Sequence, residues 1–545
     1  MTTTLSPRQR TLGLFLLGAM PCLLLALYTQ HGWEDWYITF RAAKNLAMGY
    51  GLVFDHGLRL QTFTSPINAV LPAALSWITG NNNDDLALWL YRIIGAALLG
   101  GTVLNLDRLA RLQGLARPAM WFMVAFFLVD FKIADFTING QEAAFLVFSL
   151  SLILVAMLER RTFLLGVAWA CMMWSRPDGF IYIGGTAMGY TLALALGERT
   201  ALRETFLRFF YAGLLTIVFY GPWFAWATWY YGSPIPHSAV AKGLHSGNHA
   251  ILDALLHLVI FPAQGLLNFQ PTTLNFLFMP TNYNFGGWPN ALTVFSRLLG
   301  LVASMAWLLP RASVLLRTAS LGCLIGLFYL NYFAPFPCAW YFPPCILLAI
   351  ITLAALLQHL INELPGQHTE QRIAIGLAGV TVLVWFVTTL AMSWETKVQQ
   401  TLIETGQRKN IGLWLKAHAK TPQETVFLEC LGYIGFYSGL KMYDYPGMSS
   451  LEMVDARSRV GENPALLIDD LKPDWVILRP NEAEIVYATN PDFDKQYVTA
   501  AVFDKTADVD AISFLPGRHY IQYDQKFTLY HRIGPSAHRP PMTLP

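Results

Sequence analysis

The sequence predicts a polytopic α-helical membrane protein of about eleven spans, followed by a soluble mixed α/β domain on the external side. Three observations carry this. Of 545 residues, 54% are hydrophobic and only 13% are charged, against roughly 25% charged in soluble proteins. The apolar residues are gathered into blocks long enough to cross a bilayer. From about Ser393 the composition turns polar and holds short β-branched and aromatic runs. The expected division is a transmembrane core, 1–392, with a first external loop at 30–87, and an extracytoplasmic domain at 393–545. The formal net charge of +2 argues against a nucleic-acid partner.

Arginine and lysine positions order the spans. Arg8 and Arg10 keep the N-terminus inside, and the apolar run Leu12 to Leu27 lacks a small-x-small cleavage site, so span 1 (about 11–29) stays attached. Ile67 to Ile78 is too short to cross and reads as re-entrant or interfacial. Span 2 (about 88–106) returns to the basic loop of Arg108, Arg111 and Arg117. Spans 3 and 4 (about 118–133 and 142–158) enclose an external loop around Asp135 and Asn139. Spans 5 and 6 form a hairpin with Ser175 to Gly179 at its tip. Span 7 (about 209–230) opens a long external loop, Tyr231 to Trp288. Spans 8 to 11 (about 291–309, 318–334, 340–358 and 373–392) complete the set. Beyond them Val426–Leu428, Trp475–Leu478 and Phe527–Tyr530 read as strands, and Ile411–Ala419 as a helix. The six cysteines form neither a disulfide framework nor a metal-ligand cluster.

The conspicuous polar clusters fall on the external side of this scheme, as in a membrane enzyme. A transporter would instead place them near the midplane. Glu34-Asp35-Trp36-Tyr37-Ile38-Thr39-Phe40-Arg41 opens a short helix expected to lie in the interface plane, with Ile38, Ala42 and Leu46 on one face. Two adjacent acids can be a solvated helix start. Covered by Trp33, Trp36, Tyr37 and Phe40, they can also be catalytic carboxylates, and Asp35 is the leading candidate with Glu34 beside it. Arg176 and Asp178 either pair across a turn or present a guanidinium to phosphate. Glu142 either caps span 4 or supplies a second carboxylate. Lys242 and His237, in the long loop, are candidate phosphate contacts. Cys430 reads as a buried core thiol.

These residues carry a resemblance. The chain resembles the GT-C class of membrane glycosyltransferases, in particular the bacterial branch that includes the mycobacterial terminal arabinofuranosyltransferase of the cell wall. That branch reads Asp-Asp-(Ala)-(aromatic)-Ile-(Ser/Thr)-(aromatic)-Arg, then Asn-Leu-Ala-x-Gly-x-Gly-Leu-Val, then Thr-Ser-Pro. Here stand Glu34 to Arg41, Asn45 to Val53, and Thr64-Ser65-Pro66. The likeness continues through Asn139-Gly140-Gln141-Glu142, Arg176-Pro177-Asp178-Gly179, Tyr231 to Pro236 with Lys242, and Cys430 to Ser438 with Asp444 and Gly447. Glu34 replaces the family's first aspartate, and Gln141 its usual methionine.

The resemblance implies a GT-C fold in a bacterial inner membrane, N-terminus cytoplasmic and C-terminal domain periplasmic. It implies a polyprenyl-phosphate sugar donor and an external glycan, glycolipid or protein acceptor. Asp35 or Glu34 would be the base, with Arg176, Lys242 and His237 on the donor phosphate. Arg41, Asp55, Ser65, Glu142 and Asp178 would bind or orient substrate. No cofactor is required on this reading, and a divalent cation stays open because no tight carboxylate spacing decides it. A transporter or lipid flippase, and a non-enzymatic scaffold, are the competing classes.

Overall fold

A computed structural model describes residues 6–197, 199–242, 251–267, 273–279, 288–334, 338–363, 368–512, 515 and 517–534. Parts of the expected external loops, at 243–250, 268–272, 280–287 and 335–337, lie outside the described residues. The helices follow the apolar blocks in order. They are α1 (Pro7–Thr29), α2 (Glu34–Ala47), α3 (Pro66–Ile78), α4 (Asp84–Leu112), α5 (Arg117–Leu128), α6 (Phe131–Ile138) and α7 (Ala143–Leu158). Next come α8 (Thr162–Ser175), α9 (Phe180–Gly197), α10 (Leu202–Tyr231), α11 (His237–Ala241), α12 (Ile251–Leu267) and α13 (Thr273–Phe276). The last of the apolar series are α14 (Asn290–Met305), α15 (Val314–Tyr332), α16 (Pro343–Glu363) and α17 (His368–Gln399).

Among the described residues, eight helical segments are long and apolar enough to cross a membrane. Three of the eleven expected spans are shorter apolar helices: α5, α7 and α8. Asp130 explains the shortness of α5. Its carboxylate accepts from the Ile133 N–H and starts α6 afresh. The Tyr231 to Trp288 segment differs from expectation too, because α12 runs through it. Asp253, His257 and Pro262 interrupt its hydropathy, yet all three sit within one helix.

The chain separates into two compact units. The first comprises Met1–Tyr28, Trp89–Phe224 and Gly247–Ser393. Its core draws Val103, Phe126, Leu150, Leu315, Cys323 and Ile346 from five helices. Burial from lipid supplies little drive here, so close packing and satisfied polar groups carry the association. Gly189 on α9 lies where any Cβ would meet the Thr318 backbone of α15. Phe126 stacks on Phe278 at 5.0 Å, and Trp385 Nε1 donates to the Phe278 carbonyl at 2.9 Å.

The second unit comprises Thr29–Leu88, Ala225–Ser246 and Trp394–Pro545. Its sheet runs in the order β2-β1-β3-β5-β4, with β1 (Thr425–Leu428), β2 (Lys441–Asp444), β3 (Trp475–Leu478), β4 (Tyr497–Asp504) and β5 (Lys526–Arg532). β1 pairs in parallel with β2 and β3, whereas β5 pairs antiparallel with β3 and β4. Two-residue alternation sends Val426 and Leu428 into one core and Phe427 into another. The first core also takes Ile38 from α2 and Phe54 from the loop after it. Each fully buried large side chain contributes ~1.5–3 kcal/mol where the alternative is water. A π-helical stretch, Gln400–Arg408, leads into α18 (Lys409–His418), and α19 (Gly432–Ser438) follows β1.

Helix α2 is more deeply enclosed than an interfacial helix. Trp36, Tyr37, Ile38, Phe40, Ala42, Ala43 and Asn45 are all buried, while Leu46 is exposed. Its aromatic residues pack among themselves and on α19: Trp36 stacks on Phe40 at 4.9 Å, and Tyr37 meets Tyr433 at 4.1 Å.

Candidate active site

The two acids at the start of α2 are not equivalent. Trp33, the residue before them, makes no side-chain cap, so the carboxylates themselves face the helix N-terminus. Glu34 Oε2 accepts from Arg408 Nη1 at 3.1 Å, and Glu34 Oε1 accepts from the Gly432 N–H that opens α19. Burial raises the Glu34 carboxyl, Arg408 pulls it down, and Glu404 pushes it up again. Both oxygens are occupied. The half-buried Asp35 carboxylate accepts no hydrogen bond among the described residues. Burial raises it, Lys242 is the largest opposing charge, and Glu429 adds to the rise.

Arg408 organises the ground behind Glu34. It is buried in the π-helical turn, and its Nη1 also donates to both oxygens of Glu404 at 2.9 Å while its Nη2 donates to Asp524. Asp524 Oδ1 in turn accepts from Arg479 Nε at 2.5 Å, and Arg479 Nη2 donates to Glu429 at 2.6 Å. Arg479 Nη2 also lies 2.9 Å from Cys430 Sγ, a buried thiol. Burial works against Asp524, yet the two guanidinium groups outweigh it and hold its carboxyl low. Sequence reading missed Arg408, Arg479, Asp524 and Glu429. The only local signal was the Glu404–Arg408 spacing of four on a helical face.

Lys242 ends α11, whose approach is fixed by bonds to its backbone. The Ser238 N–H donates to the Gln61 carbonyl at 3.3 Å, and Arg457 Nη1 donates to the Ala241 carbonyl at 3.0 Å. His237 Nε2 pairs with the Gly447 carbonyl at 3.0 Å, and burial lowers its pKa. The Gly447 and Met448 N–H groups donate to Asp444, which accounts for the Asp444 and Gly447 positions as a loop brace.

Arg41 and Ser65 are committed to structure. All five N–H groups of Arg41 donate, to the carbonyls of Phe54, Gly435, Gly439 and Leu440 and to Asp55 Oδ1 at 2.7 Å. Its guanidinium lies 4.1 Å over the Phe54 ring. Asp55 Oδ2 has no donor. Ser65 caps α3, its hydroxyl accepting from the Asn68 N–H at 3.3 Å, with Pro66 in the first turn.

In the first unit, the structure brings Glu142, Arg176 and Asp178 together. Arg176 Nη1 donates to Glu142 Oε1 at 2.9 Å, and its Nε and Nη2 donate to the two Asp178 oxygens at 2.9 and 3.0 Å. The guanidinium lies 4.3 Å over the Tyr341 ring. Glu142 occupies the N-cap position of α7 without making a capping bond, so its partner is the arginine. The same unit buries Arg92 and Lys132, which sequence reading did not single out, and Asp135, which it placed in an external loop. Arg92 Nε donates to the Ile138 carbonyl at 2.8 Å, Lys132 Nζ donates to the Phe276 carbonyl, and Asn139 donates to the buried Asp135 at 3.2 Å. A cavity of about 620 Å³, lined by Cys22, Leu25, Phe127, Val129 and Leu390, is almost wholly apolar.

Among the described residues, no group of three His, Cys, Asp or Glu side chains is placed to hold a metal ion. Residues 394–530 match a family described as "Domain of unknown function (DUF8728)". No curated protein matches the sequence. Among solved structures, ArnT from Cupriavidus metallidurans in the apo state is similar at 13% identity and a TM-score of 0.51, covering 97% of this chain and 100% of that one. The same protein bound to undecaprenyl phosphate is similar at 11% identity and a TM-score of 0.53, covering 96% and 100%. The likeness runs through the helical core and the sheet domain alike, and the fold is the multi-pass GT-C fold of ArnT.

Proposed function

We propose that the protein is a glycosyltransferase that moves one sugar from a polyprenyl-phosphate donor to an acceptor outside the bacterial inner membrane, with Asp35 as the base. The observation that carries the reading is the contrast at the start of α2. Glu34 is tied on both oxygens, and Asp35 is half-buried and raised in pKa, with Lys242 the largest opposing charge on it. A carboxylate without hydrogen-bond donors is a stronger base than a solvated one. Asp35 takes the proton from an acceptor hydroxyl as that oxygen bonds to the anomeric carbon. The bond from that carbon to the phosphate oxygen breaks, and polyprenyl phosphate leaves. One displacement inverts the configuration.

Lys242 is the cation proposed for the leaving phosphate, with His237 beside it in sequence order. Arg176, held between Glu142 and Asp178, is a second candidate for a phosphate contact, tested separately. The undecaprenyl phosphate bound to ArnT supports a donor of this lipid class. The apolar cavity of about 620 Å³ suits isoprene units. The run from Glu34 to Val53 resembles the arabinofuranosyltransferase branch, so pentofuranosyl donors come first in the panel. The reaction as drawn needs no cofactor. The leaving group is already a phosphate ester, so a divalent cation is not needed to make it leave.

The test is transfer of labelled sugar from a panel of polyprenyl-phosphate sugars by the full chain in lipid. Wild type is run beside Asp35→Asn, Glu34→Gln and Lys242→Ala, with and without chelator. One active donor, with transfer lost in Asp35→Asn and unmoved by chelator, is expected. Absence of transfer from every donor, together with wild-type behaviour of Asp35→Asn in cells, overturns the reading in favour of a transporter or scaffold.

A further inference from the structure

The last two turns of α2 line a cavity of about 1200 Å³ that the proposed chemistry does not use. Its other walls come from the loop after α2, the start of α4, α18, α19 and β2. This exceeds the roughly 300–1,000 Å³ of pockets that hold single small molecules. Its walls mix flat rings with paired charges. The partly exposed Phe436 and Tyr437 supply aromatic surface, and Asp55, Asp84 and Lys44 supply acceptors and donors.

Three of the four cations at the wall are paired, one of them with Glu452 outside the lining. Arg41 pairs with Asp55, Lys44 Nζ with both Asp84 oxygens at 2.7 and 2.8 Å, and Lys441 with Glu452. Lys416 is exposed and makes no pair among the described residues. A polyanion finds a single unpaired lysine here, and a purely apolar ligand would strand the ion pairs. A chain of polyhydroxylated rings fits both features. Its ring faces lie on the aromatic side chains, and its hydroxyl groups donate to carboxylates. The cavity shares α2 with Asp35, and Lys44 is roughly 14 Å along the helix from it at 1.5 Å per residue.

We propose that this cavity is a docking subsite for an oligosaccharide, uncharged or carrying a single acid, and that the acceptor is therefore a glycan chain engaged several units away from the hydroxyl that reacts. The acceptor clause rests on the glycosyltransferase reading; the carbohydrate site does not.

The experiment is binding of tetrasaccharides to the full chain in lipid nanodiscs without donor, read by saturation-transfer NMR and titration. Mannotetraose, glucotetraose and a glucotetraose ending in a single glucuronate are the probes, each beside its monosaccharide. At least one tetrasaccharide is expected to bind at least tenfold more tightly than its monosaccharide. Tyr437→Ala is expected to weaken it about fivefold or more, the scale of one aromatic face. Lys416→Ala weakens the arm with the single glucuronate alone. Unchanged unfolding temperatures show that the variants fold. No binding by any probe, equal affinity for tetrasaccharide and monosaccharide, or wild-type affinity in Tyr437→Ala overturns the proposal. If binding persists while no donor supports transfer, the site stands and the glycosyltransferase reading falls. If transfer proceeds without such binding, only the docking site falls.

Discussion

Gly432 stands so close to Glu34 that a Cβ on it would overlap the Glu34 carbonyl, and its N–H donates to the Glu34 side chain. The sheet domain thus fixes the first turn of α2 from one glycine. Gly432→Ala must push α19 off α2, at a cost of about 1–3 kcal/mol. Thermal unfolding is expected to fall accordingly, and transfer to fall with it. An unchanged unfolding temperature would mean that this contact is not made.

Arg408 is expected to matter more. It holds Glu34, Glu404 and Asp524 in a buried cluster. Arg408→Met leaves three carboxylates without their shared cation, costing about 3–5 kcal/mol. Arg408→Lys keeps the charge but not the fork, and recovers only part of that. Denaturant titration of the detergent-purified chain measures both.

Asp35 gives a pH prediction with a definite sign. Burial raises its carboxyl, so the folded chain holds that proton more tightly than the unfolded one. The stability contributed by this group is complete at acid pH, declines as pH rises past the unfolded value, and stops declining above the folded one. Asp35→Asn therefore unfolds at the same temperature as wild type or higher at pH 7, while transfer falls about 10²–10⁴-fold. In wild type, kcat/KM rises with pH through an inflection above the ordinary aspartate value of about 3.9. A flat profile from pH 4 to 7 would remove Asp35 as the base.

Ser65 separates motif from chemistry. As the cap of α3, its replacement by alanine costs about 1 kcal/mol of stability. KM for donor and acceptor is expected to stay at the wild-type value. A raised KM with unaltered unfolding would return Ser65 to the substrate.

The helical core was legible because membrane spans announce themselves by length and hydropathy. The three strands richest in β-branched and aromatic residues, β1, β3 and β5, were legible for a similar reason. β2 was hidden by its charged ends, Lys441 and Asp444, and β4 by its alternating exposure as an edge. α12 was hidden by Asp253, His257 and Pro262, each an ordinary sign of a loop. At the candidate site, the acids of α2 could be seen but not told apart. What distinguishes Glu34 from Asp35 is Arg408 and Gly432, some 370 to 400 residues further on. No local pattern encodes such a contact. Arg41 shows the converse: a charge within a motif suggested substrate, and five backbone and side-chain acceptors consume it.

The π-helical stretch before α18 has a consequence for how this chain tolerates insertions and deletions. Its wider turns advance fewer degrees per residue than the α-helix on either side, so the angle at which Arg408 leaves the axis depends on the residue count from Gln400 onward. Removing one residue there would swing every later side chain of that helix by about 100°. The guanidinium would then turn away from Glu34 without any change in hydrophobicity or charge. Sequence length in those nine residues is thus under tighter constraint than sequence identity, and a library of single deletions across 400–408 would show it as a sharp gap in viability.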